Sequence, residues 1–155
     1  MRTLAILALG LALTLGAARP APAAPLDGPF MVEEPAPAAA EAQQAFDEGN
    51  RHMKAKRYAE AVAAFQRAVK ARPDFAEAHS NLGYSLRNAG KIDQAILAYK
   101  EAIRLKPDLA EAREYLGVAY LLKGDRRAAM EEYRILQRLN PKVAAELLAE
   151  IEKRR

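Results

Sequence analysis

From Ala42 onward, apolar residues return along the chain at steps of three and four. His79, Leu82, Gly83 and Leu86 stand at i, i+3, i+4 and i+7, which places them on one stripe of a helix. Ile92, Ala95, Ile96, Tyr99, Ala102 and Ile103 form the stripe of a second helix, and Tyr58, Ala61, Val62, Phe65, Ala68 and Val69 hold the same offsets one unit earlier. Two amphipathic helices with facing stripes predict a helical hairpin. Between Pro20 and about Glu41 the pattern is lost: Pro20, Pro22, Pro25, Pro29, Pro35 and Pro37 follow one another too closely for a helix, so residues 24–41 read as an extended spacer. Phe30, Met31 and Val32 are its one apolar cluster.

The stripes repeat with a fixed period. Gly49, Gly83 and Gly117 return every 34 residues, as do Ala61, Ala95 and Ala129 and also Pro73, Pro107 and Pro141. A unit of that size cannot bury its apolar face alone and must stack on its neighbours. We frame three units, 42–75, 76–109 and 110–143, each of two helices. The glycine at the eighth place and the alanine at the twentieth let the paired helices approach closely. Asp74-Phe75-Ala76-Glu77 and Asp108-Leu109-Ala110-Glu111 follow the unit-ending prolines and read as capping boxes. Beyond the third unit, Val143, Ala144, Leu147, Leu148 and Ile151 share one face, so 144–155 is expected to be a helix that covers the end of the array. The fold class is thus all-α, a solenoid of three helix-turn-helix repeats with a capping helix.

Leucine then glycine at the seventh and eighth places, an aromatic near the eleventh, alanine at the twentieth, an aromatic at the twenty-fourth, a small residue at the twenty-seventh and proline at the thirty-second together resemble the tetratricopeptide repeat. The second unit carries Leu82-Gly83, Ala95, Tyr99, Ala102 and Pro107, and the third Leu116-Gly117, Tyr120, Ala129, Tyr133 and Pro141. Departures are Glu48 and His52 in the first unit, Leu86 in the second and Leu136 in the third. The resemblance spans residues 42–143 and implies a right-handed superhelix whose first helices line a concave groove for an extended peptide or helix of another protein, without enzymatic activity. The groove residues it implies are Phe46, Asn50, Lys54, Asn81, Tyr84, Arg87, Glu111, Tyr115 and Val118. One sub-family grips the C-terminal carboxylate of chaperones with cations and asparagines. Here Asn50 and Asn81 stand at the matching places, but Phe46, Glu111 and Tyr115 replace the three cations, which argues against that clamp.

Ahead of the spacer, Arg2 is followed by an uncharged apolar run from Leu4 to Ala18, the pattern of a secretory signal. The small-x-small site Ala21-Pro22-Ala23 gives a signal peptide of residues 1–23. The run is shorter than the ~20 residues that cross a bilayer, so membrane contact is expected only if the segment is retained. Removing residues 1–23 takes Arg2 and Arg19 and no acid, which leaves 22 basic residues against 20 acidic. A nearly neutral chain whose charges alternate in sign along its helices is not a nucleic-acid binder. With no cysteine there is neither disulfide framework nor thiolate metal site. The alanine, arginine and proline bias points to a bacterium with GC-rich codons.

Catalytic chemistry finds no support. His52 and His79 are the sole histidines, lie on the packing stripes and have no ligand-like spacing; Ser80 and Ser85 have no triad partner. We therefore expect no cofactor, metal or small-molecule substrate. The expected function is an exported, periplasmic or secreted adaptor that holds a partner polypeptide in its groove. The alternative is a structural repeat protein of the cell envelope that binds copies of itself.

Overall fold

A computed structural model describes residues 37–154. The segment read from the sequence as a signal, the cleavage site expected there and most of the expected spacer, Phe30 to Val32 included, lie outside those residues. Among the described residues the regular elements are seven helices: α1 (Pro37–Lys54), α2 (Tyr58–Ala71), α3 (Ala76–Asn88), α4 (Ile92–Leu105), α5 (Ala110–Leu122), α6 (Arg126–Leu139) and α7 (Pro141–Lys153). They pair as hairpins α1/α2, α3/α4 and α5/α6, and each hairpin packs on the first helix of the next, ending with α7 on α6. α1 also touches α3, α3 touches α5 and α5 touches α7, whereas α2, α4 and α6 do not touch one another. The first helices therefore crowd together along one side and the second helices fan apart on the other. This is an all-α solenoid of helical repeats.

Size complementarity holds the hairpins. Phe65 and Tyr99, at the same place in successive units, are fully buried. Each faces a glycine of the partner helix: a Cβ on Gly49 would come within 2.6 Å of the Phe65 ring, and one on Gly83 within 2.7 Å of the Tyr99 ring. In the third unit the rule changes. Gly117 faces Leu147 of α7, at 2.6 Å from where its Cβ would lie, and Tyr133 is only half-buried. Leu136, Leu147 and Ile151 are fully buried around that contact. Each such side chain contributes about 1.5–3 kcal/mol by leaving water.

Four helix starts differ from the sequence expectation. α1 begins at Pro37, so the spacer ends at 36 rather than 41. Proline is harmless in a first turn, where its missing N–H has no helical partner to lose, and Ala42 and Ala45 are buried on the same helix. The capping boxes are absent: Phe75 and Leu109, not Asp74 and Asp108, occupy the cap positions of α3 and α5, with no side-chain cap bond. Phe75 is drawn into the core at 9 % exposure, which sets the helix start one residue later than an aspartate cap requires. Side-chain caps occur instead at Asp125, which accepts from the Ala128 amide at 2.9 Å, and at Asn140, which accepts from the Val143 amide at 3.3 Å. The Asn140 cap starts α7 at Pro141, earlier than the 144 read from the pattern.

Candidate functional site

The crowded side of the solenoid is built from α1, α3 and α5. Their stripes face the second helices, so residues off the stripe point into the concavity. Tyr84 of α3 and Tyr115 of α5 lie side by side, ring centroids 5.5 Å apart. Tyr58, at the start of α2, adds a ring 6.4 Å from Tyr84. The Arg87 guanidinium stands 5.1 Å from the Tyr84 centroid and 5.6 Å from that of Tyr115, within cation–π range of both. Between α1 and α3, Asn81 Nδ2 donates to Asn50 Oδ1 at 2.9 Å. That bond joins the first two repeats across the groove floor.

Two hollows follow. One, of about 300 Å³, is lined by Met53, Lys54, Asn81, Tyr84 and Tyr115. The other, of about 470 Å³, is lined by Phe46, Glu77, Ser80, Asn81, Lys106, Leu109, Glu111 and Tyr115. Asn81 and Tyr115 belong to both, so the hollows adjoin. Phe46 also stacks within the fold, 4.6 Å from the Phe75 ring and 5.7 Å from that of Phe65, and so offers an edge rather than a free ring. Val118 lines neither hollow: it packs against the apolar cluster around Leu136 and Leu147 beneath α7. The groove thus gathers Phe46, Asn50, Lys54, Asn81, Tyr84, Arg87, Glu111 and Tyr115 and leaves Val118 aside.

The charged groups have identifiable causes. The Glu77 carboxyl is held below its ordinary value by its own backbone amide and by Lys106, whose Nζ donates to it at 3.1 Å. Burial pushes Tyr115 and Glu114 up; for Glu114 the neighbouring Glu146 adds to the effect and Arg87 opposes it. Lys106 and Leu109 escape a reading of first helices because they sit in the turn joining α4 to α5. Equally unforeseen is a pair of staples at the fourth place of the second and third units: His79 Nε2 donates to the Pro73 carbonyl at 2.9 Å, and Arg113 Nε to the Pro107 carbonyl at 3.2 Å. The recurrence of a donor six residues after Pro73 and after Pro107 was the available signal. Among the described residues no three His, Asp or Glu side chains cluster as a metal site requires.

The tetratricopeptide repeat family model matches residues 46–109 and 81–144. The chain belongs to this family of helical repeats, whose domains mediate protein–protein interaction and are generally not enzymes. It is similar in structure to the TPR domain of Arabidopsis OM64 (TM-score 0.71, 18 % identity, 76 % of this chain and 99 % of that one). It is likewise similar to the TPR2B domain of yeast Sti1, solved in a complex with pHsp70 (TM-score 0.69, 20 % identity, 75 % and 99 %), and to MamA (TM-score 0.59, 28 % identity, 75 % and 63 %). No curated protein matches the sequence.

Proposed function

We propose that this chain is an exported, non-catalytic adaptor that holds an extended segment of a partner protein along the concave side of its three repeats. The observation that carries the reading is the pair of adjoining hollows on the concave side, one lined by Met53, Lys54 and Tyr84, the other by Phe46 and Glu111, with Asn81 and Tyr115 in both. Its composition suits recognition of a polypeptide: tyrosine and arginine are the side chains that dominate binding energy at protein interfaces, and polar residues ring them here. Both hollows have the size of pre-formed ligand sites. The similar Sti1 domain is a complex with pHsp70, which supports a peptide as occupant. Export rests on the apolar run Leu4–Ala18 and the site before Ala24.

The test is a crosslinking pull-down from the native host with the tagged full-length protein, beside a Tyr84→Ala/Tyr115→Ala variant of checked helicity. A protein recovered by the wild type and lost by the variant is expected, since each ring is placed to contribute about 2 kcal/mol or more of binding. Equal recovery by both would move the binding site off the groove. Protein from the envelope fraction should begin at Ala24; an intact Met1 in the cytosolic fraction would overturn export.

A further inference from the structure

The charges along the groove are unevenly placed. At the first-repeat end stands Lys54, and Arg87 lies over the central tyrosines. Toward the third repeat the cationic supply fails. Lys106 is taken by Glu77 at 3.1 Å, and Lys153 by Glu150 at 2.7 Å. Glu111 lines the larger hollow beside Phe46 and Tyr115. Glu114, one turn further along the same helix and in the lining of neither hollow, is half-buried; Glu146, Glu111 and Glu150 repel its charge and Arg87 attracts it. Neither Glu111 nor Glu114 forms an ion pair among the described residues.

Resting on the groove reading, we infer that the segment it accepts is cationic: a stretch of chain carrying one or two lysines or arginines among apolar residues. Its apolar side chains lie over Tyr84, Tyr115 and the edge of Phe46, and its cation sits beside Glu111, with Glu114 one turn further along α5. Electrostatics decides the sign. An anionic segment would set carboxylate against carboxylate at the exposed Glu111 and the half-buried Glu114, and at the latter like charges cost more than at an open surface. A cation relieves the mutual repulsion of the acids already there, and burial together with Glu146 holds the Glu114 carboxyl up in the absence of such a partner. Phosphate backbones meet the same carboxylates, which excludes nucleic acid on equal grounds.

The experiment is a selection of random dodecapeptides displayed on phage, run on the full-length protein and on two variants: Glu111→Gln/Glu114→Gln and Tyr84→Ala/Tyr115→Ala. Wild type is expected to enrich lysine or arginine beside leucine or an aromatic, by up to about fivefold per basic position, the range an exposed or half-buried ion pair supports. The glutamine variant, its fold checked by its melting temperature, should keep the apolar preference and lose the basic one. Neutral or acidic sequences enriched by the wild type and lost by the tyrosine variant would overturn the cationic assignment while leaving the groove in place. No enrichment over the tyrosine variant would overturn both. A dimer in light scattering that the tyrosine variant abolishes would seat a second copy in the groove, and would overturn the assignment as well.

Discussion

The Tyr99 hydroxyl is buried without a hydrogen-bond partner, and burial pushes its pKa up. The ring is needed, because it fills the space that Gly83 leaves open; the oxygen is not, since Phe65 does the same work opposite Gly49. An unpaired buried hydroxyl costs about 1–3 kcal/mol, and removing it leaves no widowed partner. Tyr99→Phe should therefore raise stability by about 1 kcal/mol in urea unfolding, and a loss of that size would mean the hydroxyl is bonded after all. A second residue-scale conflict lies in the turns within the repeats. Gly90 and Gly124 take φ of +79° and +83°, and at the equivalent place in the first repeat Lys56 takes φ of +57°. A lysine in that left-handed region costs about 1–2 kcal/mol, and glycine's extra freedom in the unfolded chain returns about 0.5–1. Lys56→Gly should gain roughly 0.5 kcal/mol or more; an unchanged or lowered melting temperature would show that the turn tolerates lysine without strain.

Between elements, α5 and α6 are tied by Arg113 and Glu132, 3.1 Å apart and each 14 % exposed. Arg113 favours the charged carboxylate, but burial outweighs it and the Glu132 carboxyl lies above its ordinary value of 4.5. In the window above 4.5 the folded chain then holds more protons than the unfolded one, so this group's stabilisation is full below that window and fades as the pH rises through the folded pKa. Glu132→Gln removes that slope and keeps an acceptor for Arg113. The variant's melting temperature relative to wild type should climb between pH 4 and pH 7; a difference that falls over this range would mean the ion pair outweighs the burial. The same elements show what the chain makes legible. Periodicity located the paired helices of each repeat, because every unit buries the same offsets, and the resemblance to the tetratricopeptide repeat named Tyr84 and Tyr115 for the groove. The pattern missed the starts of α1, α3, α5 and α7. A buried apolar residue such as Phe75 overrode the aspartate that local capping rules favour, and Ala42 and Ala45 drew the helix back to Pro37. The resemblance assigned Val118 to the groove because an ideal repeat register ignores the end of the array, where that face packs on the cluster beneath α7. Lys106 and Leu109 were hidden for another reason: an inter-repeat turn enters the groove only when two units stack.

At the scale of the molecule, a solenoid is stable as a sum of units and nearest-neighbour interfaces, so its weakest end sets what survives. The first two hairpins each close on an internal aromatic, Phe65 or Tyr99. The third closes on Leu147, which belongs to α7 and not to the hairpin. α7 is in this sense the missing half of the third repeat's core, and Asn140 at its cap and Arg126, which donates to the Ile151 carbonyl at 2.6 Å, fasten it at both ends. Leu147→Ala should cost about 2–5 kcal/mol, as large-to-small changes at fully buried sites do. It should also loosen the array unevenly. Amide exchange is expected to speed up in α5, α6 and α7 while α2 to α4 keep most of their protection, because local opening follows the lost interface. Tyr115, Glu111 and Glu114 all stand on α5. The variant should then bind any groove peptide more weakly although no groove residue has changed, and the loss should fall mainly on the basic positions of the peptide. Uniformly faster exchange through all seven helices would show instead that the array unfolds as one unit, with α7 no more than a lid on it.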